Sequence, residues 1–174
     1  LTLRGTPTLY YGDEIGMRDV AIPPHLVRDP FERNVPGRGL GRDPERTPMQ
    51  WSSDAQAGFT RGEPWLPVAS DYRDVNVAAQ RDDAKSILAL YRRVLTARRA
   101  SPALHVGSLT LDEPTDGIVS FTRVDGDDVR RVLVNFTDGP LDTAALFAEP
   151  GAYDVVVSTH RAHEGVAFEG SLAP

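Results

Sequence analysis

The stretch Thr6-Pro7-Thr8-Leu9-Tyr10-Tyr11-Gly12-Asp13-Glu14 decides how this chain folds. Thr6 to Tyr11 is β-branched, aliphatic and aromatic without a charge, the pattern of a strand buried on both faces in a parallel sheet. Gly12 breaks the run, and Asp13-Glu14 marks its C-terminal end. On the N-terminal side, Leu1-Thr2-Leu3-Arg4-Gly5 reads as a last helical turn closed by a glycine cap. A buried strand requires neighbours, and the chain opens on Leu1 rather than Met. The expectation is that it begins inside a longer protein.

Beyond the strand, Arg18 to Asn76 holds most of the prolines, which makes it a very long loop. Loops beyond ~12–15 residues without secondary structure of their own are usually functional or disordered. The apolar content (Phe31, Met49, Trp51, Phe59, Trp65 and Leu66) favours an ordered, functional loop. Asp82 or Asp83 can cap a helix running to about Ala100, with Ala84, Ile87, Leu88, Tyr91, Val94 and Leu95 at three- and four-residue spacing. Arg92, Arg93, Arg98 and Arg99 read as its solvated C-terminal end, where cations suit the helix dipole. Strand, loop and helix together form one βα unit of the kind that builds a (β/α)8 barrel, whose active site lies at the C-terminal ends of the strands.

After Gly107 the periodicity drops to two. Strands are expected at Ser108 to Leu111, Ile118 to Val124, Val129 to Phe136, Thr143 to Phe147 and Tyr153 to Ser158. Asp125-Gly126 marks a hairpin turn. The fold class is therefore α/β plus all-β: one βα unit over residues 1–104, then a small antiparallel β-sandwich domain over 105–174.

Composition narrows the partners. The formal charge of -6 in 174 residues argues against nucleic acid and anionic membranes, which select basic patches. No run approaches the ~20 apolar residues of a membrane span. The absence of cysteine rules out disulfides and thiolate metal sites and leans towards a reducing, cytoplasmic setting. No cofactor and no metal site is expected. His160, His163 and Glu164 have the wrong order for a metalloprotease signature and read as a surface turn. Gly37, Gly39 and Gly41 lack the spacing of a dinucleotide fingerprint. Asn135-Phe136-Thr137 fits the glycosylation pattern, which matters only in a secretory context.

Two blocks are more specific. Arg4-Gly5-Thr6-Pro7 with Tyr10-Tyr11-Gly12-Asp13-Glu14-Ile15-Gly16-Met17 resembles the eighth-strand motif of glycoside hydrolase family 13 enzymes of the oligo-1,6-glucosidase and α-glucosidase type. Asp43-Pro44-Glu45-Arg46-Thr47-Pro48-Met49-Gln50-Trp51, followed by Ala57-Gly58-Phe59-Thr60, Pro64 to Val68, Asn76-Val77 and Gln80, resembles the loop that follows it. The resemblance implies that residues 1–104 are the last βα unit of a (β/α)8 TIM barrel, and that the whole is a retaining α-glucosidase that takes terminal glucose from short α-glucoside oligosaccharides. Its catalytic acids, after strands four, five and seven, would precede Leu1, so no catalytic residue is assigned to this chain. Asp13 and Glu14 are rejected as a substitute pair, because successive side chains on an extended segment point to opposite faces.

By resemblance, Arg46 matches an arginine that binds the innermost glucose, a task suited to the guanidinium's fixed fork of donors. Arg42 is a second substrate-binding candidate, its alternative being an ion pair with Asp43 or another loop acid. Phe31 and Glu32 lie where related enzymes build the leaving-sugar site. Trp51 and Trp65 are read as packing inside the loop rather than as sugar platforms. Two further readings stay open: a trehalose synthase or other transferring relative, and a non-catalytic glucan-binding or transporter-associated homologue.

Overall fold

The computed structural model describes residues 1–147 and 153–174. They form two compact units, one of Leu9–Ala89 and one of Leu1–Thr8 with Leu90–Pro174.

The unit Leu9–Ala89 is a long loop folded upon itself. Its apolar centre is Ile15, Met49, Val77 and Leu88, with Met17 packed against it. Short turns punctuate it: a 3-10 turn at Asp13–Ile15, helix α1 at Pro30–Asn34, a 3-10 turn at Pro44–Arg46 and helix α2 at Val77–Gln80. Side-chain amides stitch these pieces together. Gln50 Nε2 donates to the Val75 carbonyl at 2.5 Å. Asn76 caps α2 by accepting from the Ala79 amide, while its own amide donates to the carbonyls of Tyr72 and Arg73. Gln80 donates to the Ile15 carbonyl and accepts from the Leu88 amide. A loop with so little regular structure must satisfy its buried polar groups by such side chains.

Helix α3 covers Ile87–Ala100, starting later than expected. Asp83 caps the preceding turn through the Lys85 amide, and Ser86 takes over as helix cap by accepting from the Ala89 amide. The short helix α4, Pro102–His105, follows, capped by Ser101. Ser101 also donates to Asp128, which accepts from the Ala103 amide.

Strands β1 (Ser108–Leu111), β2 (Ile118–Asp125) and β3 (Asp128–Asn135) form an antiparallel sheet in the order β1-β2-β3. The β2–β3 hairpin turns at Gly126, with Asp125 opposite Asp128, as its turn residues predict. A second sheet pairs β4 (Leu141–Asp142) with β5 (Ser171–Leu172). The expected strand at Thr143 to Phe147 is instead a 3-10 turn at Ala144–Leu146. Of the strand expected at Tyr153 to Ser158 there is a single bridge, Asp154 to Ala167. The aromatic cluster Phe147, Tyr153 and Phe168, with the Arg131 guanidinium 4.7 Å from the Phe147 ring centre, fills this region. Asn135 donates its side-chain amide to the carbonyls of Gly139 and Ala173.

Two expectations are corrected here. Thr6 to Tyr10 forms no strand, because a strand needs partners for its amides and carbonyls and the described residues offer it none. Arg98 is not a solvated helix end. It is buried and donates to the carbonyls of Leu1, Leu3 and Gly5 at 2.6, 3.1 and 2.6 Å. Arg93 likewise pairs with Glu164 at 2.9 Å.

Candidate functional site

The site begins at the turn after Tyr11. Gly12 and Gly16 have φ of 98° and 71°, left-handed values that L side chains adopt at a cost. A Cβ on Gly12 would lie 2.8 Å from the Met17 sulfur, and one on Gly16 2.7 Å from Ile87 Cδ1. The two glycines thus permit a tight turn that buries Ile15 and leaves Asp13 and Glu14 on its rim. The segment is helical, not extended, so the geometric ground for rejecting these acids as a catalytic pair is replaced by another. Asp13 accepts from the Tyr10 amide at 3.1 Å and Glu14 from the Gly12 amide at 2.8 Å. Both carboxylates hold the turn.

The second arm is the 43–51 segment. The Tyr11 hydroxyl donates to the Thr47 carbonyl at 3.0 Å, tying the two blocks together. Burial pushes the Tyr11 phenol up from its ordinary value, with Tyr10 adding to the effect. The Arg46 amide closes its 3-10 turn on the Asp43 carbonyl. That turn sets the Arg46 side chain at the edge of a concavity of about 490 Å³, which Tyr10, Tyr11 and Glu14 line from the first block.

Trp51, Phe59 and Trp65 complete the wall. The expectation that the tryptophans fill the loop's interior is corrected: they are 50% and 54% exposed, and the interior is made by Ile15, Ala57 and Leu66. Their presentation has a backbone cause. Gln56 and Ala57 take left-handed φ of 55° and 57°, strain of order 1–2 kcal/mol per non-glycine residue. The buried Ala57 carbonyl then accepts from both the Trp51 and Ser52 amides. A larger, open depression of about 960 Å³ runs along Asp54 to Glu63 and contains none of the expected site residues.

Arg42 does not line the concavity. Its Nε lies 2.9 Å from Asp29 Oδ2, and its guanidinium sits 5.6 Å from the Phe31 ring centre. The ion-pair alternative is thus what is seen, with Asp29 rather than Asp43 as partner. Asp29 also reaches Arg46 Nη1 at 3.7 Å. Burial pushes the Asp29 carboxyl up, but the Phe31 amide and Arg42 outweigh it and hold it below the usual carboxylate range. Asp43, also buried, accepts from the Arg28 and Asp29 amides. Phe31 stacks on Arg42, and Glu32 accepts from the Gly37 amide; neither faces the concavity. Sequence reasoning missed Asp29 as a site residue, although Asp-Pro before a helical turn is an N-cap signature.

Among the described residues no group of three metal-binding side chains comes together. His160 and His163 stack 5.8 Å apart on an exposed turn. No helix among the described residues is long and apolar enough to cross a membrane.

The family model of the α-amylase catalytic domain matches residues 1–107. A probable alpha-glucosidase of Rhizobium meliloti (strain 1021) is 34% identical over 138 residues, covering 79% of this chain and 25% of that protein. The trehalose synthase/amylase TreS of Mycobacterium tuberculosis is 41% identical over 143 residues, 76% of this chain and 21% of the relative. Among solved structures, a variant of the trehalulose synthase MutB in complex with glucose superposes with a TM-score of 0.84 at 30% identity, over 100% of this chain and 35% of its own. The chain spans about a quarter to a third of the length of the first curated relatives it matches.

Proposed function

The chain belongs to the α-amylase family, glycoside hydrolase family 13, and on that premise we propose that the whole protein is a retaining α-glucosidase releasing terminal glucose from short α-glucosides. The matching enzymes are (β/α)8 barrels, and this chain carries the end of such a barrel followed by small antiparallel sheets. The boundary is drawn at residues 1–104 and 105–174, a division supported by the family match ending at 107. A cytoplasmic setting is supported by the lack of cysteine.

One observation carries the reading: Arg46 stands at the edge of a concavity walled by Tyr10, Tyr11, Trp51 and Trp65 with Glu14 beside them. Aromatic faces suit the C–H surfaces of a sugar ring, and a guanidinium suits its hydroxyls. Arg46, with Arg42 behind it, would fix the innermost glucose. Retention requires two carboxyl groups ~5–5.5 Å apart, one attacking the anomeric carbon while the other protonates the leaving oxygen. Neither is assigned to these 174 residues, so the isolated chain turns over no substrate; glucose release by it alone would refute that assignment.

The identity of 41% to a trehalose synthase/amylase favours a second reading, in which glucose is moved within or between sugars. Incubating the intact protein with maltose separates the two. Net glucose supports hydrolysis, and accumulation of trehalose without net glucose supports isomerisation. A protein whose upstream part lacks the three acids would be a binding homologue, releasing and transferring nothing.

A further inference from the structure

We propose that Asp29 is a positioning residue that holds Arg42 and Arg46 in their working orientation, an inference that rests on reading those arginines as the glucose grip. The Asp29 side chain is 0% exposed, while those of Arg42 and Arg46 are 47% and 37% exposed. Long exposed cations have wide rotamer freedom, and a fixed buried carboxylate removes it.

Its own position is over-determined. Asp29 Oδ1 accepts from the Phe31 amide at 2.8 Å, Pro30 restricts the next φ, and Asp43 Oδ2 accepts from the Arg28 and Asp29 amides at 2.5 and 2.8 Å. Both arginines converge on the single oxygen Oδ2, Arg42 through Nε and Arg46 through Nη1. Phe31 backs the plane of the Arg42 guanidinium, so Arg42 is fixed behind the concavity while Arg46 meets the same oxygen from its edge. Asp29 therefore acts on substrate only through the arginines.

The test uses the intact protein with Asp29→Asn. A dicarbonyl reagent, phenylglyoxal, modifies accessible arginines, and peptide mass spectrometry reads the rate at each. The expected result is a several-fold faster modification of Arg42 and Arg46, with the exposed Arg99 unchanged and the buried Arg98 and Arg123 still protected. Unchanged rates at Arg42 and Arg46, or a rise that extends to Arg98 and Arg123, overturns the proposal. If Asp29→Asn fails to fold, Asp29→Glu, which keeps the charge but displaces it, is held to the same criteria. In parallel, KM for maltose should rise on the order of tenfold with a smaller change in kcat, as expected when a binding group is misplaced; a fall in kcat at constant KM also overturns it. An unaltered protein that neither hydrolyses nor transfers glucose sinks the functional reading alone, since the labelling still decides the role of Asp29.

Discussion

Replacing Arg123 by Met removes a guanidinium that is 0% exposed while keeping much of its aliphatic stem. Three bonds vanish: Nε to the Ser108 carbonyl at 3.0 Å, one terminal nitrogen to the Thr2 carbonyl at 2.6 Å and the other to the Gly107 carbonyl at 3.0 Å. Hydrogen bonds to a charged group contribute about 1.5–3 kcal/mol each. Against this stands the cost of burying the cation, several kcal/mol in folded proteins, which the substitution relieves. That cost is real here, since burial lowers the pKa of Arg123 and the nearby cations Arg98 and Arg4 lower it further. Set against three such bonds, that relief leaves a net loss of about 3 kcal/mol. At about 2–4 °C per kcal/mol for a cooperative unit of roughly 150–250 residues, the transition should fall by roughly 6–12 °C. Calorimetry of the intact protein measures it, with Arg99→Met, an exposed site on α3, as the control expected within about 0.5 kcal/mol of the parent. If Arg123→Met melts within about 2 °C of the parent, the three carbonyl bonds make no net contribution to stability, and the reasoning fails.

Arg46→Ala should lower kcat/KM for maltose by about 10–100-fold, the value of a charge-assisted hydrogen bond, and unchanged kinetics would remove it from the site. Asn76→Ala loses the α2 cap and both carbonyl contacts, at a cost of about 1–3 kcal/mol in urea unfolding; an unchanged midpoint would show that the loop does not depend on this amide. Asp128 is held below the ordinary carboxylate range by the Ser101 hydroxyl, against burial, with help from the Ala103 amide and Arg130. Its contribution is fully present above the unfolded carboxylate pKa of about 3.9 and lost as pH falls through the lower folded value. The Asp128→Asn protein should therefore lose less stability on acidification below that pH than the parent does, and parallel acid curves would contradict the assignment.

What the sequence disclosed depended on how far apart the interacting residues lie. The hairpin of β2 and β3 was legible because its alternation and its Asp125-Gly126 turn are local, and register follows from both. Arg98 was misread for the opposite reason. A cation in the last turn of a helix is usually solvated, and nothing near it in sequence announces carbonyls 93 to 97 residues away. Asp29 escaped in the same way, since Arg42 follows it by 13 residues across a loop whose path no periodicity describes.

The long block from Asp43 to Gln80 is one pattern in the sequence and two sets of residues in the structure. Gln50, Asn76 and Gln80 belong to the pattern that identified the loop, yet they face inward and satisfy the backbone of a segment with no sheet or long helix to do so. Arg46, Trp51 and Phe59 come from the same pattern and face the concavity. The left-handed turn at Gln56 and Ala57 joins the two sets, since the Ala57 carbonyl that anchors the Trp51 amide is itself buried. A loop built this way cannot change its interior without moving its wall. Scaffold and site residues are therefore written as one motif, and only the folded loop separates those that would touch sugar from those that keep the loop in place.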